Sequence, residues 1–146
     1  MDKYVDLHMH STCSDGTFTP EEVVRRAAEL ELVAIGLTDH DSVEGVSTAQ
    51  AVGREVGVEV VPGTELSAQL DEKDIHILAY FIDPEDPDLA NCLTQFREAR
   101  LRRAEQMVRK LNQMGMRIRM EQVLAKAEGA AIGRPHVADV MVEEGC

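Results

Sequence analysis

The run Leu32-Val33-Ala34-Ile35-Gly36-Leu37 constrains the fold more than any other segment of the chain. It is apolar at odd and even positions alike, which is the pattern of a buried parallel strand in an α/β fold rather than of a one-sided sheet. A parallel neighbour requires a crossover connection, so helices must flank the run on both sides. The sequence supplies them. Thr19-Pro20-Glu21-Glu22 places Thr at an N-cap, Pro at the first helical position and Glu at the third, with Val23, Val24, Ala27, Ala28 and Leu30 as an apolar face. After the run, Asp41 and Glu44 offer a second capping box into a helix reaching about Val56.

Strands are expected on either side of these helices. Tyr4 to His10 alternates, with Val5, Leu7 and Met9 on one face and Asp6, His8 and His10 on the other. Val58 to Val61 reads as a further strand, so the first eighty or so residues read βαβαβ. After Pro62-Gly63, the segments Thr64–Leu70 and Asp74–Phe81 read as two more strands joined through the turn Asp71-Glu72-Lys73. The period then changes to that of a helix. Leu89, Leu93, Phe96, Leu101, Ala104, Val108 and Leu111 recur until Gly115, and shorter helices are expected over Met120–Glu128 and Pro135–Glu144. An α/β part over residues 1–82 and a helical part over 83–146 are therefore expected, and the helical pattern runs almost to Cys146.

With 146 residues the chain is one domain or less, on the prior of roughly 100–200 residues per domain. Its 27 acidic against 15 basic residues give a charge of −12, which disfavours indiscriminate binding to nucleic acid or anionic membrane and favours cations. No apolar stretch approaches the ~20 residues of a membrane helix, and Asp2-Lys3 does not open a secretory leader. Cys13, Cys92 and Cys146 are odd in number and widely spaced, so neither a disulfide framework nor thiolate metal binding is expected, and a cytoplasmic location is.

Residues with catalytic chemistry gather where α/β folds bind ligands, at strand ends and in the loops that follow. His8 and His10 project to one side of their strand and could chelate one ion, although such a pair alone more often reads as a solvated strand face. Asp15 in Ser-Asp-Gly alone reads as a turn former. His40 follows the apolar strand beside Asp39, an arrangement typical of a metal ligand or a base with its orienting carboxylate. Glu65 lies in an apolar context where an unpaired carboxylate is costly, so it needs a cation. His76, flanked by Ile75, Ile77 and Leu78, alone reads as a core histidine. Together these are six oxygen and nitrogen ligands without sulfur, a set suited to Mn²⁺, Zn²⁺ or Fe²⁺. Clustered ions of this kind serve hydrolysis, above all of phosphate esters, by acidifying water and neutralising phosphoryl oxygens.

Five motifs in order, Asp6-Leu7-His8-Met9-His10-Ser11, Ser14-Asp15-Gly16, Gly36-Leu37-Thr38-Asp39-His40-Asp41, Pro62-Gly63-Thr64-Glu65-Leu66-Ser67 and His76-Ile77-Leu78-Ala79-Tyr80, resemble those of the PHP (polymerase and histidinol phosphatase) phosphoesterases. Gly133-Arg134-Pro135-His136 and the helical segment before it resemble the branch that includes nucleoside 3′,5′-bisphosphate phosphatases and RNase AM enzymes. The resemblance implies the N-terminal part of a distorted (β/α)7 barrel followed by a helical insertion, with up to three divalent ions, commonly Mn²⁺. By motif, His8, His10 and Glu65 would hold one ion, Glu65 would bridge to a second shared with His76, and Asp15 and His40 would hold a third. Arg134 and His136 would contact substrate phosphate, and Asp6 and Asp39 would orient ligands. A nucleotide or short RNA or DNA would be the substrate, cut by metal-activated hydroxide. The family's remaining ligands, a His and an Asp-x-His pair, lie beyond the insertion, so a C-terminal half or a complementing chain is implied.

Arg97 to Arg119 holds eight basic residues against Glu98 and Glu105. It reads as a solvated helix face with Glu98–Arg102 and Glu105–Arg109 pairs, or as an insertion that presents positive charge to a nucleotide or RNA end. Two other functional readings stand beside the phosphoesterase: a truncated chain that binds metal and phosphate without catalysis, and a helix-turn-helix nucleic-acid module built from the last two helices.

Overall fold

The computed structural model describes residues 3–71 and 73–146. Met1, Asp2 and Glu72, the last in the expected hairpin turn, lie outside the described residues. The first part runs β1 (Tyr4–Met9), α1 (Pro20–Glu29), β2 (Leu32–Leu37), α2 (Val46–Val56), β3 (Glu59–Leu70) and β4 (Lys73–Tyr80). The second part is helical, with α3 (Pro87–Gln113), α4 (Met120–Ala127) and α5 (Arg134–Glu143). The four strands form one sheet in the order β1-β2-β3-β4, parallel across the first two pairings and antiparallel in the last. This is the α/β, half-barrel beginning and helical continuation expected from the sequence.

The helices α1 and α2 cover one sheet face. Val23, Val24 and Ala27 of α1 and Ala49 and Val52 of α2 close on Ile35, Leu37, Val58 and Val60. Gly36 lets β1 approach closely, because a Cβ there would lie 2.6 Å from the Leu7 carbonyl oxygen. The α1 capping box forms as expected, with Thr19 accepting from the Glu22 N–H and Glu22 accepting from the Thr19 N–H. Leu30, however, is the C-cap of α1 and is exposed. On β2 only Ile35, Gly36 and Leu37 are buried; Val33 is exposed, so two-sided burial is confined to the strand's carboxyl end, beside the candidate site.

Two expectations are corrected. Asp41 and Glu44 do not cap α2, whose N-cap is Gly45 without a side-chain cap bond. Asp41 is wholly buried at φ 48°, and its carboxylate instead accepts from the Ser67 N–H and Oγ–H and from Arg100 Nε. The two strands expected on either side of Pro62-Gly63 are one continuous strand, β3. Its first residues pair with β2 and its remainder with β4, so Pro62-Gly63 marks a change of partner rather than a turn.

The sheet curls. Tyr80 at the end of β4 donates its hydroxyl to the Leu7 carbonyl of β1, joining the first and fourth strands of a four-strand sheet across its concave side, 2.8 Å apart. A second core holds the helical part together, with Val108, Ile118, Val123, Val137 and Val140 packed among α3, α4 and α5. Helix α3 crosses back to the sheet through arginines: Arg97 to Glu44, Arg100 to Asp41 and Arg103 to Asp74. The basic segment is therefore not simply a solvated face. Of the two i,i+4 pairs expected on it, Glu98–Arg102 is present at 3.6 Å.

Candidate metal centre

Alternation along the strands turns Asp6, His8 and His10 of the first segment, Glu65 and Ser67 of β3, and His76 of β4 away from the α1/α2 core and into the concave face. The loop after β1 brings Asp15 back to the same place. Its backbone folds tightly, with the Ser14 and Gly16 N–H groups donating to the Ser11 carbonyl at 3.0 Å each. Gly16 passes so near His10 that a Cβ would lie 2.5 Å from its carbonyl oxygen. Asp39, buried at the end of β2, fastens this loop by accepting from the Ser11 N–H, the Ser11 hydroxyl and the Ser14 hydroxyl at 2.6–2.7 Å. His40 is set beside Glu65 by an isolated parallel bridge, in which the Glu65 N–H donates to Asp39 O and the Asp41 N–H to Glu65 O.

The six residues singled out as ligands converge. Glu65 is the hub: its Oε2 lies 2.7 Å from His8 Nε2 and 2.7 Å from His10 Nε2, and its Oε1 lies 2.5 Å from His76 Nδ1. Asp15 lies 2.9 Å from His10 Nδ1 and 3.6 Å from His40 Nε2. Three overlapping groups bring their donor atoms within 4.8 Å of one another: His8-His10-Glu65, His10-Asp15-His40 and His40-Glu65-His76. The first group is the trio expected for one ion, and Glu65 and His76 meet as expected for the second. The third expected pair, Asp15 and His40, is joined by His10, and His40 also reaches the group around His76.

The protonation states of Asp15, Glu65 and His40 suit cation binding, whereas at His10 a cation must displace a proton. Burial works against ionising Asp15, but the His10 hydrogen bond and the charges of His40, His10 and Arg100 outweigh it and hold the carboxyl at about 2. Burial likewise opposes ionisation of Glu65, and its histidine partners still lower its pKa. His40 is pushed down to about 4, first by burial and then by the Arg100 charge, against the pull of Asp15 and Glu65. It is therefore neutral near pH 7, with a lone pair free to ligate. Burial also opposes protonation of His10, but Asp15 and Glu65 outweigh it and raise its pKa.

The four remaining candidates lie around this centre. Asp6 is on the exposed side of β1 and accepts from the His8 backbone N–H at 3.0 Å, so it steadies the strand rather than a ligand ring. Asp39 acts on the loop carrying His10 and Asp15, again not on a ring. Arg134 bonds Asp74 on β4. His136 is buried, accepts the Gly133 N–H at Nδ1 (2.9 Å), and has its pKa lowered by burial. Gly133 itself abuts Asp15: a Cβ there would lie 3.0 Å from Asp15 Oδ2. The start of α5 is thus turned toward the centre and tied to β4, which counts against α5 as the recognition helix of a helix-turn-helix.

Sequence reasoning missed Arg100 and Asp41. The signal lay in α3, where the buried positions are Leu93, Arg100, Ala104 and Val108, so an arginine interrupts an apolar stripe.

The family model of the PHP domain matches residues 6–127, a span that holds every residue of the cluster. The chain belongs to the PHP domain family. PHP relatives align over nearly its whole length. A 5′-3′ exoribonuclease of Haemophilus influenzae is 34% identical over 99% of this chain and 53% of its own length. A 3′,5′-nucleoside bisphosphate phosphatase of Chromobacterium violaceum is 37% identical over 97% of this chain and 50% of its own. The chain spans about half the length of these curated relatives. Among solved structures, a metal-dependent phosphoesterase of Bifidobacterium adolescentis superposes with a TM-score of 0.88 at 36% identity, covering 98% of this chain and 51% of that one. An amidohydrolase of Chromobacterium violaceum, solved with bound sulfate and no metal, also gives 0.88 at 37% identity, over 97% of this chain and 50% of that one. The PHP half-barrel and its helical continuation therefore account for the architecture. No helix among the described residues is long and apolar enough to cross a membrane.

Proposed function

We propose that this chain is the metal-binding N-terminal part of a phosphoesterase that hydrolyses a nucleotide or oligonucleotide phosphate ester. The observation that carries the reading is how the cluster is unsatisfied. His10 Nε2 and His40 Nδ1 are buried without a hydrogen-bond partner, although His10 Nε2 lies only 2.7 Å from Glu65 Oε2. Both atoms belong to groups whose donor atoms lie within 4.8 Å of one another, the spacing of ligands around a shared cation. The all-oxygen-and-nitrogen set fits Mn²⁺, with Zn²⁺ and Fe²⁺ as the other candidates.

His8, His10 and Glu65 would hold one ion, Glu65 and His76 with His40 a second, and Asp15, His10 and His40 a third. Bound divalent ions supply Lewis acidity, which acidifies water and neutralises phosphoryl charge. The chain's own residues prepare for this. Asp15 and Glu65 stay ionised, His40 stays neutral, and Asp39 fixes the loop that aims His10 and Asp15. Asp6 holds the His8 backbone. Arg134 and His136 are proposed to contact substrate phosphate, a role supported by the packing of Gly133 against Asp15. The named activities of the exoribonuclease and the bisphosphate phosphatase support a nucleotide phosphate ester as substrate. Residues 1–82 are proposed as the barrel part and 83–146 as the inserted helical part. A C-terminal half or a complementing chain is proposed to close the barrel, and the three free cysteines support a cytoplasmic location.

The test is metal content after Mn²⁺ reconstitution, with hydrolysis of adenosine 3′,5′-bisphosphate followed on the same sample and on His8→Ala and Glu65→Ala variants. Metal-dependent turnover lost in both variants is the expected result. Bound metal without turnover would favour the second reading, a non-catalytic metal- and phosphate-binding fragment, which the half-length coverage of the relatives supports. Absence of bound metal would refute both.

A further inference from the structure

The eight basic residues between Arg97 and Arg119 fall into two sets. Arg97 pairs with Glu44, Arg100 with Asp41, Arg102 with Glu98 and Arg103 with Asp74. Among the described residues, Arg109, Lys110, Arg117 and Arg119 have no carboxylate partner, and the expected Glu105–Arg109 pair does not form. These four lie at the far end of α3 and just past it, about 14 Å or more along the helix from Arg100 at a rise of about 1.5 Å per residue. Positive charge is thus left uncompensated in one place, away from the metal centre, in a chain whose net charge is −12.

The backbone that carries Arg117 and Arg119 is fixed. Helix α3 stops at Met114, and Gly115 at φ 94° turns the chain back along the last helical turn, where the Met116 N–H donates to the Leu111 carbonyl at 3.1 Å. Asn112 then grips Ile118 at both backbone groups, accepting its N–H at 3.0 Å and donating to its carbonyl at 2.8 Å. Ile118 is buried in the core of the helical part, so its neighbours Arg117 and Arg119 both turn to solvent. They line a recess of about 510 Å³ with Asn112, Gln122 and Glu144. Glu144 already accepts from Gln122 Nε2 at 2.6 Å. Arg109 and Lys110 line a second recess, of about 260 Å³, with Gln106 and Gln113 and no carboxylate. Asn112 and Gln113, consecutive at the end of α3, join the two recesses.

We propose that this end of the helical part is a second binding surface, separate from the metal centre, which holds the phosphodiester backbone of a nucleic acid strand. Guanidinium forks match phosphate oxygens, and the glutamine amides beside them add neutral donors. Two recesses side by side suit successive phosphates of a polymer better than one small anion. No aromatic residue follows Phe96 in the sequence, and Met114 is the exposed large apolar residue at this end, so the surface lacks the apolar anchors of a protein interface and the rings that would stack bases. Contact is therefore through the backbone, independent of base sequence and strongly dependent on salt. The acidic remainder of the chain repels a strand elsewhere and confines it to this surface.

The probe is a fluorescein-labelled oligouridylate about twelve nucleotides long, added to the metal-free chain with chelator present and followed by fluorescence anisotropy. Arg117→Ala/Arg119→Ala should weaken binding by about tenfold or more and lower the slope of log K against log salt by about 1.4, at about 0.7 per phosphate contact. Arg109→Ala/Lys110→Ala, a second variant at exposed positions of the helix, should act in the same direction. Arg25→Ala/Arg54→Ala, which removes equal charge from α1 and α2, should leave binding unchanged, as should His10→Ala. No binding to the wild type, equal loss in the Arg25→Ala/Arg54→Ala control, or loss in His10→Ala would overturn the surface. Uridine 5′-monophosphate should displace the strand only at far higher concentration, and a glutamate peptide of matching charge should bind more weakly. Displacement by the mononucleotide at equal concentration would leave only a single-phosphate site, and equal binding of the peptide would point to an acidic protein; either result overturns the strand proposal. These readouts use neither metal nor turnover, so the phosphoesterase reading can fail in its own assay while this surface stands, and the reverse.

Discussion

Replacing Arg100 with Met tests whether one buried ion pair fixes the helical part on the half-barrel. Arg100 is 3% exposed and Asp41 is 0% exposed, and Nε lies 2.5 Å from Oδ2. Met keeps most of the aliphatic stem in place, so the loss is mainly electrostatic. Removing one partner of a buried pair typically costs about 3–5 kcal/mol, because the other charge stays buried and uncompensated. Here Asp41 keeps the Ser67 N–H and hydroxyl at 2.7–2.8 Å, which holds the expected cost near the lower end, about 3 kcal/mol. Asp41→Asn should cost a comparable amount, since Asn tolerates the φ of 48° and its one carbonyl oxygen keeps the Ser67 N–H, but its amide nitrogen cannot accept from Arg100 Nε and the guanidinium stays buried without its counter-charge. The double variant should then be more stable than the sum of the two losses implies, by about 1 kcal/mol or more. Urea unfolding followed by far-UV circular dichroism is the assay, because the chain has no tryptophan. A cost below about 1 kcal/mol for Arg100→Met, or strict additivity in the double variant, would refute the argument.

Thr19→Ala, which removes the α1 cap, should lower stability by about 1 kcal/mol in the same urea assay. The Thr19 backbone and hydroxyl hold the Glu22 carboxyl below its usual pKa. Its contribution is present above the unfolded value and is lost as pH falls below about 4.5, so Glu22→Gln should flatten acid titrations of stability in that window. Asp39→Ala should leave the helix content seen by circular dichroism near wild type but weaken Mn²⁺ binding measured by calorimetry by about tenfold or more, since the Ser11 and Ser14 anchors of the ligand loop are lost. Saturating Mn²⁺ should raise the thermal midpoint, with about 2.7 kcal/mol of stabilisation at a hundredfold excess over Kd, and excess chelator should reverse it. An unchanged midpoint would count against a folded metal site.

What could be read in advance was local chemistry. The Thr19–Glu22 cap, the two-period strand before His10 and the helical spacing from Leu89 to Leu111 are each written in a short window and formed nearly as expected. The candidate ligands were legible for a different reason: His8, His10, Asp15 and His76 each have an ordinary structural reading alone, and only Glu65 and His40 in apolar surroundings and the order of the five motifs together singled the set out. What failed to show depended on partners far away in sequence. Asp41 and Glu44 satisfy the local rule for a cap, but Arg100, 59 residues on, competes for Asp41 and wins because the pair is buried. Pro62-Gly63 satisfies the local rule for a turn, yet β3 runs straight through it. Pro62 pairs with Leu37, and Gly63 serves close approach, since a Cβ there would meet the Ala79 carbonyl oxygen at 2.8 Å.

The distribution of ion pairs between the two parts bears on how the site is assembled. Each core is apolar and self-contained, one under α1 and α2 and one among α3, α4 and α5. Arginine contacts with carboxylates of the barrel part include Arg97–Glu44, Arg100–Asp41, Arg103–Asp74 and Arg134–Asp74. Exposed pairs of this kind contribute little each and weaken with salt, whereas the Arg100–Asp41 pair is screened from both. The buried part of the docking contact is therefore the Arg100–Asp41 pair, which begins one residue after the candidate ligand His40, together with Leu93 and Ala104 of α3, which are buried outside both cores. A displacement of α3 would move Asp41, and with it the His40–Glu65 bridge, before it disturbed either core. Docking of the helical part and placement of Asp41 beside the His40–Glu65 bridge thus share one side chain, Arg100.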